Sequence, residues 1–204
     1  MIVLPEGTEG LIFDLDGTLA DTMGMHIESW ELAGQFFGAE ITAKMINDYA
    51  GIPTLQLIEL FNKEYGWSLD PIEFRKEKNK LYLDIKAKSG GIKAIQHMVD
   101  YAESQRGIRP MAIGTGSIRT NAIYAVDALG IADWFVTLIT ADDVINPKPH
   151  PETFEKGAEA MGLSPTVCHV FEDSNIGIKA ALDGGMSCSH IVTGKNFDNK
   201  GKLL

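Results

Sequence analysis

Cysteine is nearly absent: among 204 residues only Cys168 and Cys188 occur, and neither stands in a metal-ligand or redox spacing. No disulfide framework can be built from them, and the usage fits two buried thiols in a reducing, cytoplasmic setting. Positive charge is scarce as well, with 18 Lys and Arg against 28 Asp and Glu and a formal net charge of -10. A sequence-independent grip on nucleic acid needs a basic stripe, so no nucleic-acid partner is expected. Long apolar runs are missing, which argues against a membrane span and a membrane partner. The first ten residues lack the basic region and the long apolar region of a secretory signal. Internal repeats and low-complexity tracts are also missing. What remains is an ordinary globular composition, 45% hydrophobic and 23% charged, long enough for one domain or a core domain with a small insert. A monomer or weak dimer is expected.

The acidic balance would repel an anionic ligand from most of the surface, so any phosphate site must gather local cations. Lysine placement therefore carries information. So does one motif near the start. Residues 11 to 18 read Leu-Ile-Phe-Asp-Leu-Asp-Gly-Thr, an apolar run that delivers Asp14 and Asp16 into a glycine. On an extended strand, side chains two apart point to the same side, so both carboxylates are expected to face one spot at the strand's carboxyl end. Like charges so placed call for a cation. Mg²⁺ suits hard oxygen ligands combined with substrate phosphates. A plain acidic turn is the alternative, since Asp-Gly is a common turn dipeptide.

From residue 22 to residue 88 the pattern is helical with almost no strand signal. His26 to Phe37 has apolar positions at helical spacing and stops at Gly38; Leu55 to Phe61 continues it, and Asp70-Pro71 is a helix start. The lysine-rich 75–80 segment reads first as a solvated helix face, the commoner outcome for such a run. Ser89-Gly90-Gly91 marks a boundary. Helix and short apolar strand then alternate: helix over 92–104, strand at 110–114, helix over 119–129, strand at 135–139, helix over 151–161, strand at 167–171 and helix over 175–182. Such alternation implies an α/β fold, a doubly wound, Rossmann-like parallel sheet covered on both faces. The expected division is a core of residues 1–21 and 89–204 with a helical cap inserted at 22–88.

Ligands of such sheets sit outside the carboxyl ends of the strands. The residues expected there are Asp14 and Asp16 after the first strand, Thr115 and Ser117 after the second, Lys148 after the third, and Glu172 and Asp173 after the fourth. Taken singly, each has a bland reading: helix capping for Thr115 and Ser117, a surface position for Lys148, an acidic helix start for Glu172-Asp173-Ser174. Four such clusters at successive strand ends are not coincidental. A dinucleotide-binding reading of Gly114-Thr-Gly116-Ser-Ile-Arg119 fails because the third glycine is missing.

Asp14-Leu-Asp16-Gly-Thr18, Ile113-Gly-Thr115-Gly-Ser117, Asn146-Pro-Lys148-Pro and Phe171-Glu172-Asp173-Ser-Asn-Ile-Gly177, in that order, resemble the haloacid dehalogenase-type phosphohydrolases over essentially the whole chain. The likeness is greatest to the beta-phosphoglucomutase-like branch and, within it, to bacterial fructose-1-phosphate phosphatases. Phosphoryl transfer needs an in-line nucleophile, neutralised equatorial oxygens and a proton for the leaving alcohol. Asp14, last on its strand, fits the nucleophile that forms an aspartyl phosphate. Asp16 fits general acid and then base, with a pKa expected to be raised by closure of a dry cap. Lys148 supplies positive charge, and Thr115, placed where a helix begins, holds phosphate oxygens. By resemblance, Mg²⁺ is held by Asp14, Asp173 and the backbone carbonyl of Asp16, with Glu172 reaching it through water.

Substrate choice is expected in the cap. Thr22, His26 and Trp30 are four apart and share a helix face, and the resemblance places them on the sugar, with the histidine beside the acid/base aspartate. Trp30 also reads as a core aromatic, and Lys78 as either a substrate cation or a solvated lysine. The implied reaction is Mg²⁺-dependent hydrolysis of a small sugar phosphate, with fructose 1-phosphate the most specific expectation. The alternative is a mutase of the beta-phosphoglucomutase type; Gly51-Ile-Pro53-Thr54 falls where those mutases tend to carry an arginine, and none stands there. A binding protein that lost the chemistry is the third reading, opposed by the presence of every residue the chemistry requires.

Overall fold

The computed structural model of the chain describes residue 2, residues 4–49 and residues 51–204. Six strands form one sheet: β1 (Gly10–Phe13), β2 (Met111–Gly114), β3 (Thr137–Ile139), β4 (Cys168–Glu172), β5 (Ser187–His190) and β6 (Lys195–Phe197). Their order is β3-β2-β1-β4-β5-β6; the first five are parallel and β6 runs antiparallel at the edge. The chain winds from β1 outward to β3, then returns to the other side of β1 with β4. That reversal opens a crevice at the carboxyl ends of β1 and β4.

Helices cover both faces, which is why the central strands are apolar along their length rather than alternating. Leu11, Phe13, Met111, Ile113 and Phe171 pack on one face with α5 (Gln96–Gln105) and α6 (Arg119–Leu129). Ile12, Ala112 and Val170 pack on the other with α7 (Glu152–Ala160) and α8 (Asn175–Asp183). Phe13 stacks on Phe171 across the β1–β4 pair, with ring centroids 4.7 Å apart.

Between β1 and α5 lie α1 (Met23–Phe37), α2 (Ala43–Asp48), α3 (Thr54–Tyr65) and α4 (Pro71–Lys88), which pack around a cluster of their own centred on Trp30, Phe61 and Phe74. Asp70 starts α4 as expected, its carboxylate accepting from the N–H groups of Ile72 and Glu73. The chain enters and leaves this helical unit side by side: Asp21 N–H donates to Lys93 O, Ile95 N–H donates to Leu19 O, and Ala20 bridges Ala94. That crossing corrects the helix expected over 92–104, which begins only at Gln96. The expected strand at 135–139 shortens to β3; Val136 is exposed, although its N–H still donates to Met111 O of β2.

Candidate functional site

The Asp14 N–H donates to Phe171 O, so Asp14 sits one residue past β1, at the reversal in strand order. The chain then stops being extended. Leu15 O collects the N–H groups of Thr18, Leu19 and Ala20, and Gly17 takes a φ of +88° in which a Cβ would collide with the Asp173 carboxylate. Contrary to the expectation of one extended strand bearing both carboxylates, Asp14 and Asp16 line the same cavity in different surroundings.

Asp14 belongs to an acidic cluster. Its Oδ1 accepts from Lys148 Nζ at 2.7 Å, and the same ammonium reaches Glu172 Oε1 at 3.0 Å. Carboxylate oxygens of Asp14, Glu172 and Asp173 lie within 4.8 Å of one another. All are buried or nearly so, and Lys148 is only 2% exposed. Burial lifts the Asp14 carboxyl well above the usual range; Lys148 opposes the shift, while Glu172 and Asp173 reinforce it. Burial and Glu172 likewise push Asp173 up to about 7. Lys148 also moves up, for the opposite reason: burial would lower its pKa, but its two carboxylates raise it above the ordinary lysine value. Three carboxylates therefore share one ammonium, and the set is short of positive charge. Hard, clustered oxygens with a charge deficit fit a divalent cation. Glu172, expected to reach a metal through water, has its own carboxylate in the cluster, fixed further by the Ser174 N–H at 2.5 Å. A Cβ on Gly177 would strike that carboxylate, which explains the glycine closing the fourth motif.

Asp16 faces the helical unit instead. Oδ1 accepts from Thr22 Oγ1 at 2.6 Å and meets His26 Nε2 at 3.2 Å; Oδ2 accepts from Ser117 Oγ at 2.5 Å and Thr115 Oγ1 at 3.4 Å. Burial would raise its pKa, but His26 and the hydroxyl donors of Ser117 and Thr22 outweigh burial and hold it well below the usual carboxylate range. The expected upward shift of Asp16 is thereby reversed in this arrangement. Thr115 also departs from expectation. Helix α6 starts four residues later, at Arg119, whose N–H is taken by Asp142, and the Thr115 hydroxyl accepts the Ser117 N–H.

His26 ties the two halves together. Its Nδ1 lies 3.1 Å from Lys78 Nζ and its ring stacks on Tyr82 at 4.4 Å. An ammonium has only protons to offer, so Nδ1 accepts from it and Nε2–H donates to Asp16. Burial and the Lys78 charge lower the His26 pKa despite Asp16. Lys78 is itself buried, at 5% exposure, and brought down to about 8 by that burial, so it is not the solvated lysine of the second reading. Trp30, expected either on the sugar or in the core, packs against Phe61 and Phe74 and borders the cavity.

The cavity has a volume of about 340 Å³, within the range of small-molecule sites. Sequence reasoning missed several of its residues and supports, Arg75, Asn79 and His190 among them. Arg75 and Asn79 line it from α4, where a helix-face reading around Lys78 could have found them. His190, which meets Asp173 O at 2.9 Å, closes β5, a strand with no apolar signal.

A model of the haloacid dehalogenase-like hydrolases matches residues 11–191. Among curated proteins, the fructose-1-phosphate phosphatase YqaB of Escherichia coli is 35% identical over 177 residues, covering 87% of this chain and 93% of that protein. Among solved structures, beta-phosphoglucomutase from Clostridium difficile superposes with a TM-score of 0.74 at 29% identity, over 89% of this chain and 83% of that one. A hydrolase from Pseudomonas syringae has the same fold, with a TM-score of 0.79 at 24% identity over 89% of this chain and 83% of that one. With its four motifs gathered at the β1–β4 reversal and that match spanning most of its length, the chain belongs to the haloacid dehalogenase-like hydrolases.

Proposed function

We propose that the protein is a phosphoric monoester hydrolase, a Mg²⁺-dependent phosphatase of small sugar phosphates with fructose 1-phosphate as its first candidate. The observation that carries this reading is the cluster in which one buried ammonium, Lys148, bridges Asp14 and Glu172 beside Asp173. The 35% identity to a fructose-1-phosphate phosphatase supports the substrate class. Residues 22–88 serve as a cap over a core formed by 1–21 and 89–204.

Asp14 is the nucleophile. One of its oxygens is engaged by Lys148, and no described residue donates to the other. Attack of that oxygen on phosphorus forms an aspartyl phosphate and breaks the bond to the sugar oxygen, which leaves after accepting a proton. Water then attacks the same phosphorus, gives up a proton, and releases inorganic phosphate with Asp14 restored. A Mg²⁺ ion held by Asp14, Asp173 and the Asp16 carbonyl, with Glu172 beside it, would neutralise charge on the phosphoryl oxygens. Lys148 and Thr115 hold the remaining oxygens.

Asp16 is the proton carrier. As bound here it is ionised and suited to taking a proton from water in the second step. Giving a proton to the leaving sugar first requires its hydroxyl donors to let go, and substrate arriving between core and cap competes for Thr115 and Ser117. The Lys78–His26 pair positions Asp16 by holding its Oδ1 from the cap side.

Product analysis with Mg²⁺ and with EDTA tests the reading on fructose 1-phosphate, beta-glucose 1-phosphate, glucose 6-phosphate and phosphoglycolate. Metal-dependent phosphate release, greatest from fructose 1-phosphate, is expected. Isomerisation of beta-glucose 1-phosphate without phosphate release would replace it with the mutase reading.

A further inference from the structure

The cavity holds three cations, and two of them are engaged. Lys148 is bound by Asp14 and Glu172, and Lys78 by His26. The third, Arg75, is half-buried in the cavity wall and makes no hydrogen bond or ion pair among the described residues. The acids nearest to it in α4 look elsewhere: Glu73 pairs with Lys76 and Glu77 with Lys80. A guanidinium has five donors in a fixed fork and loses hydration when half-buried, so an unpartnered one lining a cavity is built to receive something.

Its position says which end of a ligand it meets. Arg75, Lys78, Asn79 and Tyr82 fall at i, i+3, i+4 and i+7, along one face of α4. Lys78 and Tyr82 both engage His26, which leads to Asp16. Arg75 lies about 5 Å further along the axis by helix geometry, on the side away from the His26–Tyr82 stack, with Asn79 next to it. The reacting phosphate is already provided for by Asp14, Lys148 and Thr115, so Arg75 is left for the opposite end.

We propose that Arg75, assisted by Asn79, is the specificity-determining residue of the cap and that it takes a second anionic group, a phosphate or carboxylate, at the end of the substrate remote from Asp14. This rests on the sugar phosphatase reading and extends it: fructose 1-phosphate stays the first candidate among neutral-ended sugar phosphates, and sugar bisphosphates and phosphorylated sugar acids bind more tightly than it does. A charge-assisted fork to an anion is stronger than a hydrogen bond to a hydroxyl, which sets the direction of the preference.

Titration calorimetry on the Asp14→Asn protein with Mg²⁺ tests this without turnover. The ligands are fructose 1-phosphate, fructose 1,6-bisphosphate and 6-phosphogluconate. Both doubly anionic ligands should bind about tenfold or more tightly than fructose 1-phosphate, the gain expected of one charged hydrogen-bonded contact. Arg75→Gln should bring that ratio close to unity, and Arg75→Lys should leave it intermediate, with folding checked by thermal melting. No preference, or a preference that survives Arg75→Gln, overturns the proposal, as does failure of all three ligands to bind. Phosphate release by the unmodified protein is scored separately. An intact Arg75-dependent preference without any release would sink the hydrolase reading and leave the assignment of Arg75 standing.

Discussion

Lys148 and Gly177 define opposite requirements on one carboxylate. The ammonium holds Glu172 Oε1, while the missing side chain of Gly177 leaves the space that the same carboxylate fills. Gly177→Ala must displace Glu172 from both Lys148 and the Ser174 N–H. Overpacking of this kind costs about 1–3 kcal/mol, so the melting temperature should fall by several degrees and phosphate release by about tenfold or more. Wild-type melting and turnover in that variant would show that Glu172 is not fixed as described. At this scale the sequence was most readable where a residue type is chemically costly. Asp14, Lys148, Glu172 and Asp173 stand out because charges after buried strands need a reason. Arg75 was invisible because a lysine-rich helix offers several cations, and only the fold shows which of them turns inward and lacks a partner.

Helices α1, α4, α6 and α8 were legible from their apolar spacing and from Asp70-Pro71, Gly130 and Gly184-Gly185, signals that act within a few residues. β5 and β6 were not. β5 reads Ser-Cys-Ser-His, and its buried serines both meet His169 of β4, Ser187 at 2.7 Å through Nδ1 and Ser189 at 2.7 Å through Nε2. A pairing between elements 18 and 20 residues apart leaves no local trace. Burial brings the His169 imidazole down to about 3, against an ordinary value of 6.5. A ring kept neutral in the folded protein is protonated in the unfolded chain below that ordinary value, so stability falls as pH drops from about 6.5 towards 3. Between pH 7.5 and pH 5 this one group should account for about 2 kcal/mol of lost stability. In urea unfolding at those two pH values, His169→Gln should lose less stability than the parent between them, whatever its absolute stability. Equal losses in the two proteins would mean that His169 titrates normally.

For the molecule as a whole, the acidic chain concentrates its usable positive charge at one crevice. A formal charge of -10 repels phosphate esters, yet Lys78, Lys148 and Arg75 all line the cavity between the helical unit and the sheet. The acidic cluster beneath them is itself short of positive charge, which suits a divalent cation arriving with or before the substrate. Among the described residues no helix is long and apolar enough to cross a membrane. The parallel pairing of β1 to β4 under covering helices was foreseeable from strand–helix alternation, whereas the strand order was not read from it. Of the surroundings of Asp16, His26 was expected from the resemblance, but the hydroxyls of Thr115 and Ser117 on its Oδ2 were not, because they come from a loop about 100 residues away. Central to this account is a phosphoryl group carried by Asp14. Acid quenching of the Mg²⁺-loaded protein during turnover of labelled fructose 1-phosphate, followed by peptide mapping, should place acyl phosphate on Asp14 and none on the Asp14→Asn protein. Steady phosphate release with no phosphorylated peptide, or continued turnover by Asp14→Asn, would contradict it.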